Sequence, residues 1–111
     1  MSSAFKIKDQ EALYFLTFQV VEWIDIFTRK ECRDILINNL DYCRKNKGLE
    51  IYAYVIMSNH VHLILKSDRE KLSDTIRDLK SYTTKKLIEF IQTEKESRRN
   101  WMLKMFKKAG T

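Results

Sequence analysis

Apolar side chains along this chain change their period several times, and each change marks an element. Residues 14–21, Tyr-Phe-Leu-Thr-Phe-Gln-Val-Val, are β-branched and aromatic without glycine or proline, which predicts a first strand. After Trp23 and Phe27, Thr28-Arg29-Lys30-Glu31 has the form of a capping box and predicts a helix start. From there Cys32, Ile35, Leu36, Leu40 and Cys43 recur at helical spacing, Arg33, Asp34, Asp41, Arg44 and Lys45 hold the outer side, and Gly48 is a natural stop. Residues 50–57 predict a second strand, Ser58-Asn59 a tight turn and residues 60–65 a third strand. Ser73-Asp74 offers an N-cap and a first-turn acid for a second helix, with Leu72, Ile76, Leu79, Leu87 and Phe90 along one stripe. Residues 94–99 form a charged break, and residues 101–106 with Lys107 and Lys108 predict a short third helix. No repeat or low-complexity tract interrupts this order.

The order β-α-β-β-α predicts an α+β fold, the front of a ferredoxin-like βαββαβ sandwich with helices on one face of an antiparallel sheet and the other face open. The fourth strand is missing from the pattern, because nothing between residues 93 and 111 has strand periodicity. Either another chain segment supplies it or a sheet edge stays open, and an open edge invites pairing.

At 111 residues with 44% hydrophobic content, the chain is expected to form one domain over residues 1–111. Residues 1–10 are polar and charged, unlike a signal peptide, and no run is apolar enough to span a bilayer, so a cytoplasmic protein without membrane contact is expected. Cys32 and Cys43 lie eleven residues apart in one helix, about three turns, too far to bridge, and read as reduced core residues. The net charge of +6 is uneven: residues 1–65 hold eight Lys/Arg and eight Asp/Glu, whereas residues 66–111 hold thirteen and seven. That asymmetry suggests a surface for a polyanion, with Arg77, Lys80, Lys85 and Lys86 on the second helix as DNA-backbone candidates; the competing reading is a solvated helix face. An anionic membrane surface fits less well, because the basic segments lack a wide apolar face. Both tryptophans read as core residues, and Asn59 as a turn residue.

Both histidines of the chain fall in Ser58-Asn59-His60-Val61-His62-Leu63. On a strand, residues two apart share a face, so His60 and His62 project side by side while Val61, Leu63 and Leu65 pack behind them. Two imidazoles held this way can grip one divalent ion. The alternative is a half-buried pair that satisfies nearby polar groups.

The run Tyr54-Val55-Ile56-Met57-Ser58-Asn59-His60-Val61-His62-Leu63-Ile64 resembles the strand-turn-strand motif of the single-tyrosine HUH transposases, the group of insertion-sequence and REP-associated tyrosine transposases. Residues 14–18 and the helix segment Ile76-Arg77-Asp78-Leu79-Lys80-Ser81-Tyr82-Thr83 resemble family segments too, so the likeness runs from Tyr14 to about Phe106. The resemblance implies a bacterial, DNA-associated enzyme that cleaves and rejoins single strands folded into hairpins. It further implies that His60 and His62, with a third polar side chain, hold Mg²⁺ or Mn²⁺, and that a tyrosine hydroxyl attacks the scissile phosphate to give a phosphotyrosine. Homodimers that join their sheets are also implied.

The chain departs from that pattern at the nucleophile. The family carries it on a later helix, in a Tyr-Ile-x-x-Asn type stretch that this sequence lacks, and so the domain is expected to be incomplete at its C-terminus. Tyr82 is the one tyrosine on a basic helix and the candidate replacement, but Lys86 stands one turn on, where a metal ligand is needed. Three readings follow: a transposase-type domain without its own nucleophile, a non-catalytic module that binds single-stranded or hairpin DNA, and a ferredoxin-like regulatory domain with structural histidines.

Overall fold

A computed structural model of the chain describes residues 12–20, 24–67, 71–93 and 99–110. Strand β1 (Tyr14–Gln19) leads through a 3-10 turn at Ile26–Thr28 to helix α1 (Lys30–Asn46), strands β2 (Leu49–Ile56) and β3 (His60–Ser67), and helices α2 (Leu72–Thr93) and α3 (Arg99–Gly110). Val21, Trp23, residues 1–10 and residues 94–98, all given roles in the sequence reading, lie outside the described residues. Arg99, read as part of the charged break, opens α3.

The strands lie in the order β1-β3-β2, both pairs antiparallel. Along β3 burial alternates with the pleat: Val61, Leu63 and Leu65 are fully buried, and His60, His62, Ile64 and Lys66 between them are half-buried. Leu16 and Phe18 of β1 join the buried side, together with Leu36 and Leu40 of α1, Leu79 and Leu87 of α2, and Met102 and Phe106 of α3. All three helices therefore cover one face of the sheet, and the other face is open. Each large side chain removed from water in that layer contributes on the order of 1.5–3 kcal/mol. The architecture is α+β, a ferredoxin-like sandwich with three strands among the described residues. Gly48, with φ of 68°, makes the reversal from α1 into β2 that a Cβ would hinder.

Two helix starts differ from the sequence reading. Thr28 is not the N-cap of α1: the chain is already wound into the 3-10 turn there, and its hydroxyl donates to the Asp25 carbonyl at 2.9 Å. The extended residue that an N-cap requires is Arg29, which makes no side-chain capping bond. Arg33 instead closes the junction, donating from Nη1 to the carbonyls of Phe27 at 2.9 Å and Thr28 at 3.1 Å. Likewise α2 begins at Leu72, with the Thr75 amide donating to the Lys71 carbonyl, so Ser73 sits inside the first turn. Burying Leu72 completely draws the helix start back before Ser73, while Asp74 remains a first-turn acid. A third correction concerns Trp101, which is 45% exposed rather than core, because Met102 and Phe106 take the inward positions of α3.

One polar contact is sealed between α1 and α2. Asn39 Nδ2 donates to Thr83 Oγ1 at 3.0 Å, with Thr83 fully buried. Thr83→Val leaves that amide without its partner and is expected to cost about 1–3 kcal/mol by urea denaturation, whereas Asn39→Leu with Thr83→Val costs less because no orphaned donor remains. A neutral Thr83→Val would mean that the bond contributes nothing. At the end of the same helix pair, Lys47 Nζ meets Asp78 at 3.0 Å. The ammonium holds the Asp78 carboxyl below the usual carboxylate range, and the carboxylate raises the Lys47 amine.

Candidate metal centre

His60 and His62 leave the sheet on its open side because their alternates are committed to the core. Their rings stand 4.9 Å apart, edge to face. The turn that carries them is tied down by main-chain bonds on three sides. Met57 N–H donates to the His60 carbonyl at 2.8 Å, Val20 N–H to the Asn59 carbonyl at 2.9 Å, and Phe27 N–H to the Ser58 carbonyl at 3.0 Å. The end of β1 and the 3-10 turn thus anchor the hairpin.

Each imidazole also has a partner at Nδ1. Asn59 Oδ1 lies 2.8 Å from His60 Nδ1, and since an amide oxygen only accepts, the contact suits a protonated Nδ1, which in a neutral imidazole leaves the lone pair on Nε2. Thr17 stands opposite His62 in register, and its hydroxyl lies 3.0 Å from His62 Nδ1. The Phe15 ring, 5.7 Å from that of His62, limits how far His62 can turn. In both rings Nε2 is the nitrogen left to offer, the arrangement that outer hydrogen bonds produce around metal-binding histidines. Gln19 stands opposite His60 and Val55 opposite His62 on the same face.

Among the described residues no group of three or more His, Cys, Asp or Glu side chains gathers to hold a metal. The pair can therefore give two nitrogen ligands, with oxygen donors left to complete a coordination shell. Two restrained imidazoles on an open, partly apolar face fit a divalent ion that shares its shell with water and a phosphate.

The other sequence candidates fall elsewhere. Tyr82 lies on α2, half exposed, beside a groove of about 470 Å³ between α1 and α2 that Asn38, Asn39 and Tyr42 also line. The sheet stands between it and the histidines of the same chain, so Tyr82 and the pair are not brought together. Arg77, Lys80, Lys85 and Lys86 are not gathered into one stripe either. At about 100° per residue they point to roughly 0°, 300°, 80° and 180° around the helix. Two already face carboxylates: Arg77 meets Asp74 at 3.4 Å and Asp78 at 3.6 Å, and Lys86 meets Glu89 at 3.4 Å, which raises the Lys86 amine. Lys80 Nζ lies 5.7 Å from the Phe18 ring centre, and Lys86 Nζ 5.4 Å from that of Tyr82.

Sequence reasoning did not find Thr17 or the second role of Asn59. Asn59 was visible as the residue before His60, but a turn explains an asparagine there without any ring contact. Thr17 enters only through the β1–β3 register, 45 residues away in sequence.

Comparison with a family model and with solved structures gives consistent matches. The family described as Transposase IS200 like matches residues 13–108. A crystal structure of a protein assigned as a transposase in Deinococcus radiodurans R1 superposes with a TM-score of 0.56 at 20% sequence identity, covering 80% of this chain and 66% of that one. The present chain thus spans just under two thirds of that protein, and the likeness carries the fold. None of the curated proteins compared with the chain matches it. Among the described residues, no helix is long and apolar enough to cross a membrane.

Proposed function

This chain belongs to the family of IS200-like transposases, and from that premise we propose that it binds single-stranded or hairpin DNA and holds a divalent ion, Mg²⁺ or Mn²⁺, through His60 and His62 for strand cleavage and transfer. The observation that carries this reading is the pair of Nδ1 contacts, from Asn59 and Thr17, which leave both Nε2 atoms available on one open face. A bound ion there would polarise a phosphodiester and offset charge that develops on its oxygens. The chain's own residues supply the rest of the binding geometry. Asn59 and Thr17 fix the two rings, Phe15 limits the rotation of His62, and the anchored turn sets their height above the sheet.

In this reading the attacking hydroxyl comes from a residue other than Tyr82 of the same chain, which lies on α2, on the face of the sheet away from the histidines. Cleavage at this pair needs another tyrosine, and a second subunit can bring one. Among the described residues no further strand pairs with the outer edges of β1 and β2, which favours a homodimer, since unpaired strand edges are templates for association. The placement of Tyr82 equally favours the second reading, a module that holds DNA without cutting it.

The test is incubation with labelled hairpin and single-stranded oligonucleotides in Mn²⁺ or Mg²⁺, with the wild type and Tyr82→Phe. Metal-stimulated DNA binding, and no covalent adduct that depends on Tyr82, is the expected outcome. An adduct lost in Tyr82→Phe overturns the assignment of the nucleophile, and failure of the wild type to bind either DNA overturns the reading as a whole. Light scattering at micromolar concentration is expected to give a dimer; a monomer removes that part.

A further inference from the structure

The outer face of α3 carries a pattern that the histidine site does not use. Trp101, Lys104 and Lys108 follow one another at i, i+3 and i+7, so they share a face over about 10 Å of helix. Met102 and Phe106 turn the opposite face into the core at 2% and 1% exposure. Trp101 stays 45% exposed, although an indole is a costly group to leave in water when a core adjoins it. Helix α3 also contains no acidic residue. Lys107 and Lys108 lie in the last turn and complement the carbonyl end of the helix. Trp101 and Lys104 have no such duty.

We infer that this face, Trp101 with Lys104 and Lys108, is a contact surface for single-stranded DNA, in which the indole stacks on a base and the two ammonium groups take adjacent phosphates. Charge selects the occupant: the basic excess of the whole chain lies in its second part, and a helix with cations only is complementary to a polyanion. A membrane is disfavoured, since the apolar face that would insert is the one committed to the core. A flexible strand rather than a duplex fits, because stacking on an indole needs an unpaired base. This surface rests on the nucleic-acid reading above but not on the histidine pair, which sits on the other side of the sheet.

The experiment is fluorescence anisotropy of a labelled single-stranded oligonucleotide of mixed sequence, titrated with protein at several salt concentrations. Trp101→Ala is expected to weaken binding roughly five- to a hundred-fold, the range for loss of one stacked base. Lys104→Ala with Lys108→Ala is expected to reduce the slope of log K against log salt by about 1.4, at about 0.7 per phosphate contact on a single strand. In a Trp23→Phe background, Trp101 emission should be quenched as the strand binds. Unchanged thermal melting and unchanged Mn²⁺ binding in each variant keep these losses from being a folding effect. If the wild type binds the strand and neither variant alters affinity or salt slope, the inference is overturned while the proposed function stands. Binding of a blunt hairpin stem but of no single strand overturns it as well. Loss of Mn²⁺ binding by the wild type, with the α3 effects intact, would sink the histidine reading and leave this surface in place.

Discussion

His60→Ala combined with His62→Ala is expected to abolish Mn²⁺ binding and leave the fold in place. Both rings are half-buried on the open face, so removing them opens no cavity in the layer formed by Val61, Leu63 and Leu65. The bonds given up, the one that Asn59 Oδ1 accepts and the one shared with Thr17 Oγ1, are part-buried and their protein partners can turn to water. The stability change should therefore stay within about 1 kcal/mol. Titration calorimetry with Mn²⁺, with and without oligonucleotide, reads the metal, and thermal melting reads the fold. Asn59→Ala and Thr17→Ala separate a positioning role from a merely structural one. Each is expected to weaken Mn²⁺ about 10- to 100-fold, the usual cost of losing an outer hydrogen bond to a ligating imidazole. A metal-free double histidine variant that melts far below the wild type would reassign the pair to structure and remove the metal site.

Leu63→Ala should produce a large loss of stability. Leu63 is fully buried in the central strand, flanked by the two antiparallel ladders, and follows His62 directly. Truncating a leucine in such a position typically costs about 2–5 kcal/mol, from lost transfer energy and the cavity left behind. In a domain of this size that is a shift on the order of 10–20 °C in Tm, a large part of a total stability of about 5–15 kcal/mol. Ile64→Ala, one residue on and facing the open side, is the control and should cost clearly less. Equal losses at the two positions would contradict the alternation on which the site rests. The variant also reports on function, because a cavity beneath His62 loosens the strand that aims it.

The family resemblance and the fold class were legible because they rest on local pattern. The first strand, the one-sided stripe of α1, the Ser58-Asn59 turn and the period-two alternation of β3 are all set by neighbours within a few residues of each other. Burial of Val61, Leu63 and Leu65 then forces His60 and His62 to the other face, so the pairing of the histidines followed from spacing alone. Helix starts were less legible. Thr28 and Ser73 carry good capping chemistry, but the 3-10 turn in one case and the burial of Leu72 in the other decided where winding begins.

What the sequence by itself determined is therefore the set of elements, the separation of a core face from an open face, and the placing of both histidines on the latter. Only the tertiary structure decided which groups meet across long separations. It put Thr17 against His62 through the strand register, closed Asn39 on Thr83 and set Tyr82 beyond the sheet from the metal candidates. It also turned Trp101 outward, since two other residues of α3 had claimed the inward positions. The division has a physical reason: periodicity is fixed by backbone geometry over one or two turns, whereas register and helix docking depend on how distant apolar faces fit together, and no local pattern encodes that fit.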